Sequence, residues 1–186
     1  DSMAASSIAA IAYNKLKIHL GVKGGKTQIW DPIQLLAAPE AEILSRFRID
    51  TRPARKPIPG LDLTEQVWKE WTLPDGSTGY LPGNFNPVKN EMGDYELIDE
   101  AGQVTHRLPA GGYYFDQISY PLEYATTVAE IEAYPLPDYS PEELTWMEQG
   151  ARRLYETTDK GIVCRSGGSI FEAACSLRGW ERFLMD

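Results

Sequence analysis

The chain has 186 residues, of which 18 are Lys or Arg and 27 are Asp or Glu, so its formal net charge is −9. The basic residues form no stripe or tail, which argues against a nucleic-acid partner. Two cysteines do not make a secreted disulfide framework. With no signal peptide or long apolar run, we expect a cytoplasmic protein that has no membrane partner.

The first predicted element is an amphipathic helix from Ser2 to Leu20, which Gly21 is placed to end in a left-handed cap. The residues expected on its buried face share a helical spacing: Ile8, Ile11, Ala12, Leu16 and Leu20. His19 falls in the last turn, where a partly positive side chain suits the helix dipole, so we expect it at the surface.

The next stretch predicts two short helices and a strand. Asp31 is placed to cap a helix that begins at Pro32 and packs Ile33, Leu35 and Leu36 inward. Pro39 precedes a second helix over residues 40–46. A short strand is then expected over residues 48–51.

Residues 57–115 have a different sequence pattern. Turns that contain Gly or Pro separate runs in which apolar and polar residues alternate, such as 67–71 and 95–98. This pattern predicts antiparallel hairpins. His106 lies in an alternating run with Val104 and Leu108, which indicates a half-buried histidine whose polar atoms are satisfied.

The C-terminal part predicts helices followed by a strand, a loop and a further helix. A helix is expected over residues 127–133, and Ser140, Pro141 and Glu143 form a capping box for a helix that runs to about Thr157. Residues 161–165 read as a strand, and the chain turns at Ser166–Ser169 into a helix that Gly179 ends. Because ligands gather at the carboxyl ends of parallel strands, the loop from Arg165 to Ser169 is the predicted functional loop.

The two cysteines are predicted to be structural rather than metal ligands. Cys164 and Cys175 are eleven residues apart with no nearby His, which is not a zinc pattern. Cys164 lies inside the predicted strand, so we expect a buried thiol there.

The segment Gly167-Gly-Ser-Ile-Phe-Glu-Ala-Ala-Cys-Ser-Leu-Arg-Gly179 resembles the segment Gly-Ala-Pro-Trp-Thr-Leu-Met-Thr-Tyr-Met-Val-Glu-Gly of the uroporphyrinogen decarboxylase superfamily. The two align without a gap, and both terminal glycines are kept. Two earlier stretches, SSIAAIAYNKLKIHLG and DPIQLLAAPEAEILSRFRID, follow in the order that this superfamily shows. Gly111-Gly-Tyr-Tyr-Phe-Asp116 resembles a motif of its methyltransferase-like branch.

The resemblance implies an α/β fold, namely the N-terminal part of a TIM-like (β/α)8 barrel with an inserted antiparallel β-hairpin region. A complete barrel takes about 250 residues, so we expect this chain to be one incomplete domain of a longer protein. Residues 1–56 would hold the first barrel helices and strand, 57–116 the hairpin insertion, and 117–186 further barrel helices and a βα unit. Uncovered sheet edges would make the isolated piece poorly soluble or a homo-oligomer.

Two enzyme functions follow from the resemblance, and a third reading does not involve catalysis. Corrinoid-dependent methyltransferases of this superfamily use a zinc with one His and two Cys ligands, located in the later half of the family's barrel, and dock a corrinoid protein. Uroporphyrinogen decarboxylases use an N-terminal Arg-Gln-Ala-Gly-Arg-Tyr motif, whereas residues 2–13 here contain no Arg. The methyltransferase is therefore favoured, with the decarboxylase of porphyrin biosynthesis as the alternative. A binding protein that uses its aromatic hairpins is the second alternative.

The resemblance also suggests which residues would face a small-molecule substrate. We expect no cofactor within this chain, with zinc and a corrinoid serving the longer parent protein, and the fragment alone to be inactive. Arg165 at a strand end would hold an anionic group of the substrate. The expected substrate-binding residues are Arg165, Ser169, Gln34, Glu172, Cys175 and Asp116.

Overall fold

The computed structural model of the chain describes residues 7–54, 67–136, 140–164 and 170–186. The helices in these ranges are α1 Ala10–Leu20, α2 Ala41–Arg46, α3 Val128–Ala133, α4 Pro141–Thr157, α5 Ile170–Arg178 and α6 Trp180–Met185. The strands are β1 Ile29–Asp31, β2 Leu36–Ala37, β3 Thr51–Ala54, β4 Trp68–Thr72, β5 Thr78–Pro82, β6 Val88–Lys89, β7 Tyr95–Ile98, β8 Val104–Leu108, β9 Asp116–Gln117 and β10 Gly161–Cys164.

The main core forms where α1 lies against the β1–β2 hairpin. Backbone hydrogen bonds join Ala10 N to Leu35 O at 2.8 Å and Ala37 N to Ile8 O at 2.9 Å. The larger cluster of buried apolar residues then extends from α1 to the hairpin strands: Ala10, Tyr13, Ile29, Leu35, Ala37, Ile43, Leu73, Leu81, Leu108 and Phe115. The N-terminal helix and the hairpins therefore share one core.

The helix α1 is shorter than predicted and buries a different face. Its buried residues are Ala10, Tyr13 and Lys17, whereas Ala12, expected inside, is exposed. Gly21 follows with φ 71°, the left-handed cap that the sequence predicts. The face changes because Lys17 and Tyr13 have a polar partner in Glu40, which an apolar pattern does not reveal.

The middle of the chain forms the predicted antiparallel hairpins. β4 pairs with β5, and β6, β7, β8 and β9 form a four-stranded sheet in that order. Ring contacts connect these hairpins to each other and to the core: Trp71 meets Tyr95 edge to face at 5.4 Å, and Phe85 meets Phe115 at 5.7 Å. These four aromatic rings are therefore used in packing.

The expected TIM-like barrel, in whole or in part, is wrong. A barrel requires each strand to pair in parallel with a neighbour on both sides. In the described ranges β3 and β10 form a parallel pair that makes no further sheet contact, while the other strands lie in separate antiparallel sheets of two or four strands. The protein is a mixed α/β protein with small separate sheets, because tight turns join most successive strands directly.

Several local predictions are confirmed, whereas the helix expected from Pro32 is wrong and the strand expected over residues 48–51 begins only at Thr51. The helices at 128–133 and 141–157 form, and Ser140 Oγ accepts from Glu143 N at 3.2 Å in the expected capping box. The helix predicted from Pro32 does not form. Asp31 Oδ1 does accept from Ile33 N and Gln34 N, but Leu35 then takes φ 51° and the chain turns back into β2.

No helix in the described ranges is long and apolar enough to cross a membrane.

Candidate functional site at the ends of the parallel strands

The β3–β10 pair is the part of the fold where a site can be built from neighbouring strand ends. Its register runs from Gly161 opposite Thr51 to Cys164 opposite Ala54, with no bulge. Helix α4 precedes β10 and contacts β3, and α5 follows β10 in the chain. The amino ends of the two strands therefore lie together, and so do their carboxyl ends. We call these two places the amino edge and the carboxyl edge of the pair.

The carboxyl edge is where the predicted functional loop begins. Ala54 and Cys164 end their strands side by side, and the loop from Arg165 to Ser169 follows directly in the sequence. The predicted site residues Arg165 and Ser169 lie outside the described residues. Where the next described residues resume, Glu172 is exposed in the first turn of α5.

The two cysteines have opposite environments. Cys164 is a free, exposed thiol, so the expected buried position is wrong. It belongs to a sheet that has only two strands in the described ranges, and such a small sheet does not enclose the last residue of its strand. Cys175 is fully buried in α5, which leaves its thiol no access to a small molecule in this arrangement.

Gln34 and Asp116 are exposed, and hydrogen bonds bring their segments together with α5. Phe115 N donates to Ile33 O at 2.8 Å, which joins the residues next to Asp116 and Gln34. Gln117 Nε2 donates to Ser176 O at 2.8 Å, one residue from Cys175. The Gln34 side chain also has a local partner, because its Nε2 donates to Asp31 Oδ2 at 3.3 Å.

Arg178 joins the last helices to the segment that follows β9, and sequence reasoning missed it. Its Nη1 donates to three backbone carbonyl oxygens, those of Leu122, Glu123 and Ala125, at 2.7 to 2.9 Å. Its Nε and Nη2 donate to Asp186, and this hydrogen bond raises the pKa of Arg178 and lowers that of the Asp186 carboxyl. The sequence signal was weak: a basic residue in the last turn of a predicted helix, just before a glycine.

The amino edge of the parallel pair carries a second feature that the sequence did not predict. A cleft of about 350 Å³ lies between the end of α2, the start of β3 and Lys160, the residue before β10. We call it the basic cleft, because its charged lining residues are Arg48, Arg52 and Lys160 with one carboxylate, Asp50. Its remaining lining is Leu44, Ser45 and Ile49.

His106 has a structural environment, as predicted. It is half-buried in β8, its Nδ1 lies 3.1 Å from Thr105 Oγ1, and burial lowers its pKa. In the described part of the chain, no three His, Cys, Asp or Glu side chains are grouped so that they could hold a metal ion. The described residues thus do not fit a zinc site of their own.

Comparison with protein-family models, curated proteins and solved structures finds no match to this chain.

Proposed function

We propose, on the sequence resemblance and without the barrel fold that it implies, that this chain is the N-terminal part of a uroporphyrinogen-decarboxylase-like protein that transfers a methyl group between a corrinoid and a small methylated substrate or thiol. The observation that carries the proposal is the conformation of Gly179, the second of the two glycines in the resembling segment. Gly179 has φ 88°, and a Cβ built on it would lie 3.3 Å from the Tyr120 ring. The backbone conformation therefore favours glycine at this position. This is a physical reason for a glycine that the chain shares with the superfamily.

Contacts between the resembling segment and the residues that follow the Gly111–Asp116 motif add support. Leu122 N donates to Leu177 O at 2.8 Å, and Arg178 binds three carbonyl groups of residues 122–125. Residues 120–125 follow the Gly111–Asp116 motif closely in the chain. The two stretches are thus held together as one unit.

In this proposal the working residues belong to the segment that follows β10 in the sequence. Arg165 would bind an anionic group of the substrate through its guanidinium, and Ser169 would add a hydroxyl donor. Glu172 lies one turn further along the chain and Gln34 and Asp116 lie on exposed segments, so these three are second choices. We assign no substrate contact to Cys175, because it is fully buried.

The metal chemistry of the proposed reaction is not assigned to this chain. A zinc would supply a bound thiolate as nucleophile, but the described residues offer no ligand set for it. Its ligands would come from other parts of a longer protein.

Uncovered apolar side chains on the last helices support the existence of a larger assembly. Leu144 on α4, Ile170 on α5 and Leu184 on α6 are 52%, 90% and 66% exposed. Contiguous apolar side chains that are exposed on a surface are typical of faces that pack against more protein. We propose that the rest of a longer protein covers them and that a corrinoid protein docks on the complete molecule, in the cytoplasm.

The test uses the longest reading frame that contains this chain. The purified product is measured for bound zinc, for cobalamin binding and for methyl transfer from methylcobalamin to a thiol, with consumption of uroporphyrinogen as a parallel assay. We expect zinc and cobalamin binding together with methyl transfer. An Arg165→Gln variant should raise the KM for an anionic methyl acceptor, whereas Arg153→Gln, on the exposed side of α4, should not.

Two results would contradict the proposal. Uroporphyrinogen consumption without methyl transfer would assign the decarboxylase activity instead. Absence of both zinc and cobalamin binding would favour a non-enzymatic interaction protein that uses its aromatic hairpins.

A further inference from the structure

The basic cleft has a local charge that is opposite to that of the whole chain. The chain has nine more acidic than basic residues, yet the cleft brings together the cationic side chains of Arg48, Arg52 and Lys160 against the single carboxylate of Asp50. Its volume of about 350 Å³ is within the range of sites for small molecules. This concentration of positive charge would attract a small anion.

Arg48 occupies a backbone position that favours glycine. Arg48 N donates to Ser45 O at 3.0 Å and Ile49 N donates to Leu44 O at 2.9 Å, which is the hydrogen-bond pattern of a Schellman motif at the end of α2. The residue at this position is normally glycine, because it must be left-handed, and Arg48 has φ 52°. A strained arginine in a cleft points to a role for its side chain.

The Arg52 guanidinium is held in place by the backbone. Its Nη1 donates to Thr51 O at 2.8 Å and to Ile49 O at 3.1 Å. Both acceptors are uncharged, so these bonds orient the group without neutralising its charge. A planar guanidinium fixed in this way is suited to binding an oxyanion.

Lys160 has two weak carboxylate partners. Its Nζ lies 3.3 Å from Asp159 Oδ1 and 3.9 Å from Asp50 Oδ1. Both carboxylate side chains are at least 85% exposed, so water screens them strongly and the pairs contribute little. An anion in the cleft can therefore gain a contact with Lys160 at small cost.

We propose that the basic cleft binds the phosphate group of a small phosphorylated molecule. Phosphate has more oxygens and more negative charge than a carboxylate, so it can contact Arg48, Arg52 and Lys160 together. The cleft lies at the amino edge of β3 and β10, opposite the edge used in the proposed methyl transfer. The two proposals are therefore independent.

Isothermal titration calorimetry of the whole chain tests this assignment. Inorganic phosphate and glycerol 3-phosphate are titrated at constant ionic strength, because salt screens contacts between charged groups. Succinate serves as the carboxylate comparison. We expect saturable phosphate binding that exceeds succinate binding. Absence of saturable phosphate binding, or succinate binding of equal affinity, would overturn the assignment.

Arg48→Gly is the decisive variant, since glycine suits the left-handed position and the variant cannot fail for reasons of backbone strain. It should melt no lower than the original protein and bind phosphate about tenfold more weakly, as expected for loss of a charge-assisted hydrogen bond. Lys23→Gln, which removes an exposed charge elsewhere, should leave the affinity unchanged. Unchanged phosphate affinity in Arg48→Gly, or an equal loss in Lys23→Gln, would contradict the site.

Discussion

The interaction of Lys17 with Glu40 predicts a large effect for one small substitution, Glu40→Gln. Lys17 is 8% exposed in α1, and its Nζ lies 2.8 Å from Glu40 Oε2. The same oxygen accepts from the Tyr13 hydroxyl at 3.1 Å, and that hydroxyl accepts from Glu40 N at 2.9 Å. Three polar groups therefore satisfy each other at the edge of the core.

The magnitude follows from the burial of the ammonium group. Removing one partner of a fully buried pair costs about 3–5 kcal/mol. The Glu40 side chain is 24% exposed, so water offsets part of this, and the glutamine amide can still accept from Tyr13. We therefore expect Glu40→Gln to lower the free energy of unfolding by about 2–3 kcal/mol.

Urea unfolding at neutral pH measures this difference. The matched control is Glu42→Gln, the same chemical change on an exposed residue in the first turn of α2, where loss of a helix-dipole interaction costs about 0.5 kcal/mol. The double variant Lys17→Met/Glu40→Gln should recover much of the stability, because no buried charge remains. The reasoning is refuted if Glu40→Gln and Glu42→Gln are equally stable.

Three further predictions concern pH, backbone conformation and capping. Burial raises the pKa of Tyr13 to about 12 from 10.0, so its contribution to stability is complete below about pH 10 and is lost as the pH rises to about 12. In urea unfolding between these pH values, the free energy of unfolding should fall more for the original protein than for Tyr13→Phe. An equal fall in both proteins would contradict the raised pKa of Tyr13. Gly179→Ala should lower the free energy of unfolding by about 1–2 kcal/mol because of its left-handed φ and the nearby Tyr120 ring. Gly150→Ala in open space on α4 should instead raise it by up to about 1 kcal/mol, so equal effects would refute the packing argument. Ser140→Ala should cost about 1 kcal/mol through loss of the α4 cap, and unchanged thermal unfolding would show that the capping box contributes nothing.

Local signals in the sequence predicted the elements whose causes are local. The capping box of Ser140 and Glu143 predicted where α4 begins, and the alternating runs with glycine turns predicted the hairpins. The predicted strand from Gly161 forms as β10. In each case the residues that determine the structure are neighbours in the chain.

The incorrect predictions concern elements whose structure is determined by residues that are distant in the chain. The side of α1 that is buried depends on Glu40, which lies 23 residues beyond Lys17 in the chain. Asp31 makes the hydrogen bonds of a helix cap, yet the backbone bonds from Ala10 to Leu35 and from Ala37 to Ile8 hold the chain in a hairpin.

The barrel prediction fails for a similar reason. It followed from the resemblance of the segment Gly167–Gly179 to a barrel superfamily, whereas most strands here find their partner across a tight turn. The basic cleft was also beyond the sequence, because it depends on Arg48 taking a left-handed conformation and on the β3–β10 register. For the predicted site, Arg165 and Ser169 lie outside the described residues, and Cys175 is enclosed.

The rate of methyl transfer from methylcobalamin to a thiol, measured with the product of the longest reading frame, tests the proposed function most directly. The loss of methylcobalamin absorbance should be saturable in thiol and should slow in the Arg165→Gln variant when the thiol carries a carboxylate. A rate no greater than that of the same mixture without protein would contradict the assignment of this chain to a corrinoid-dependent methyltransferase.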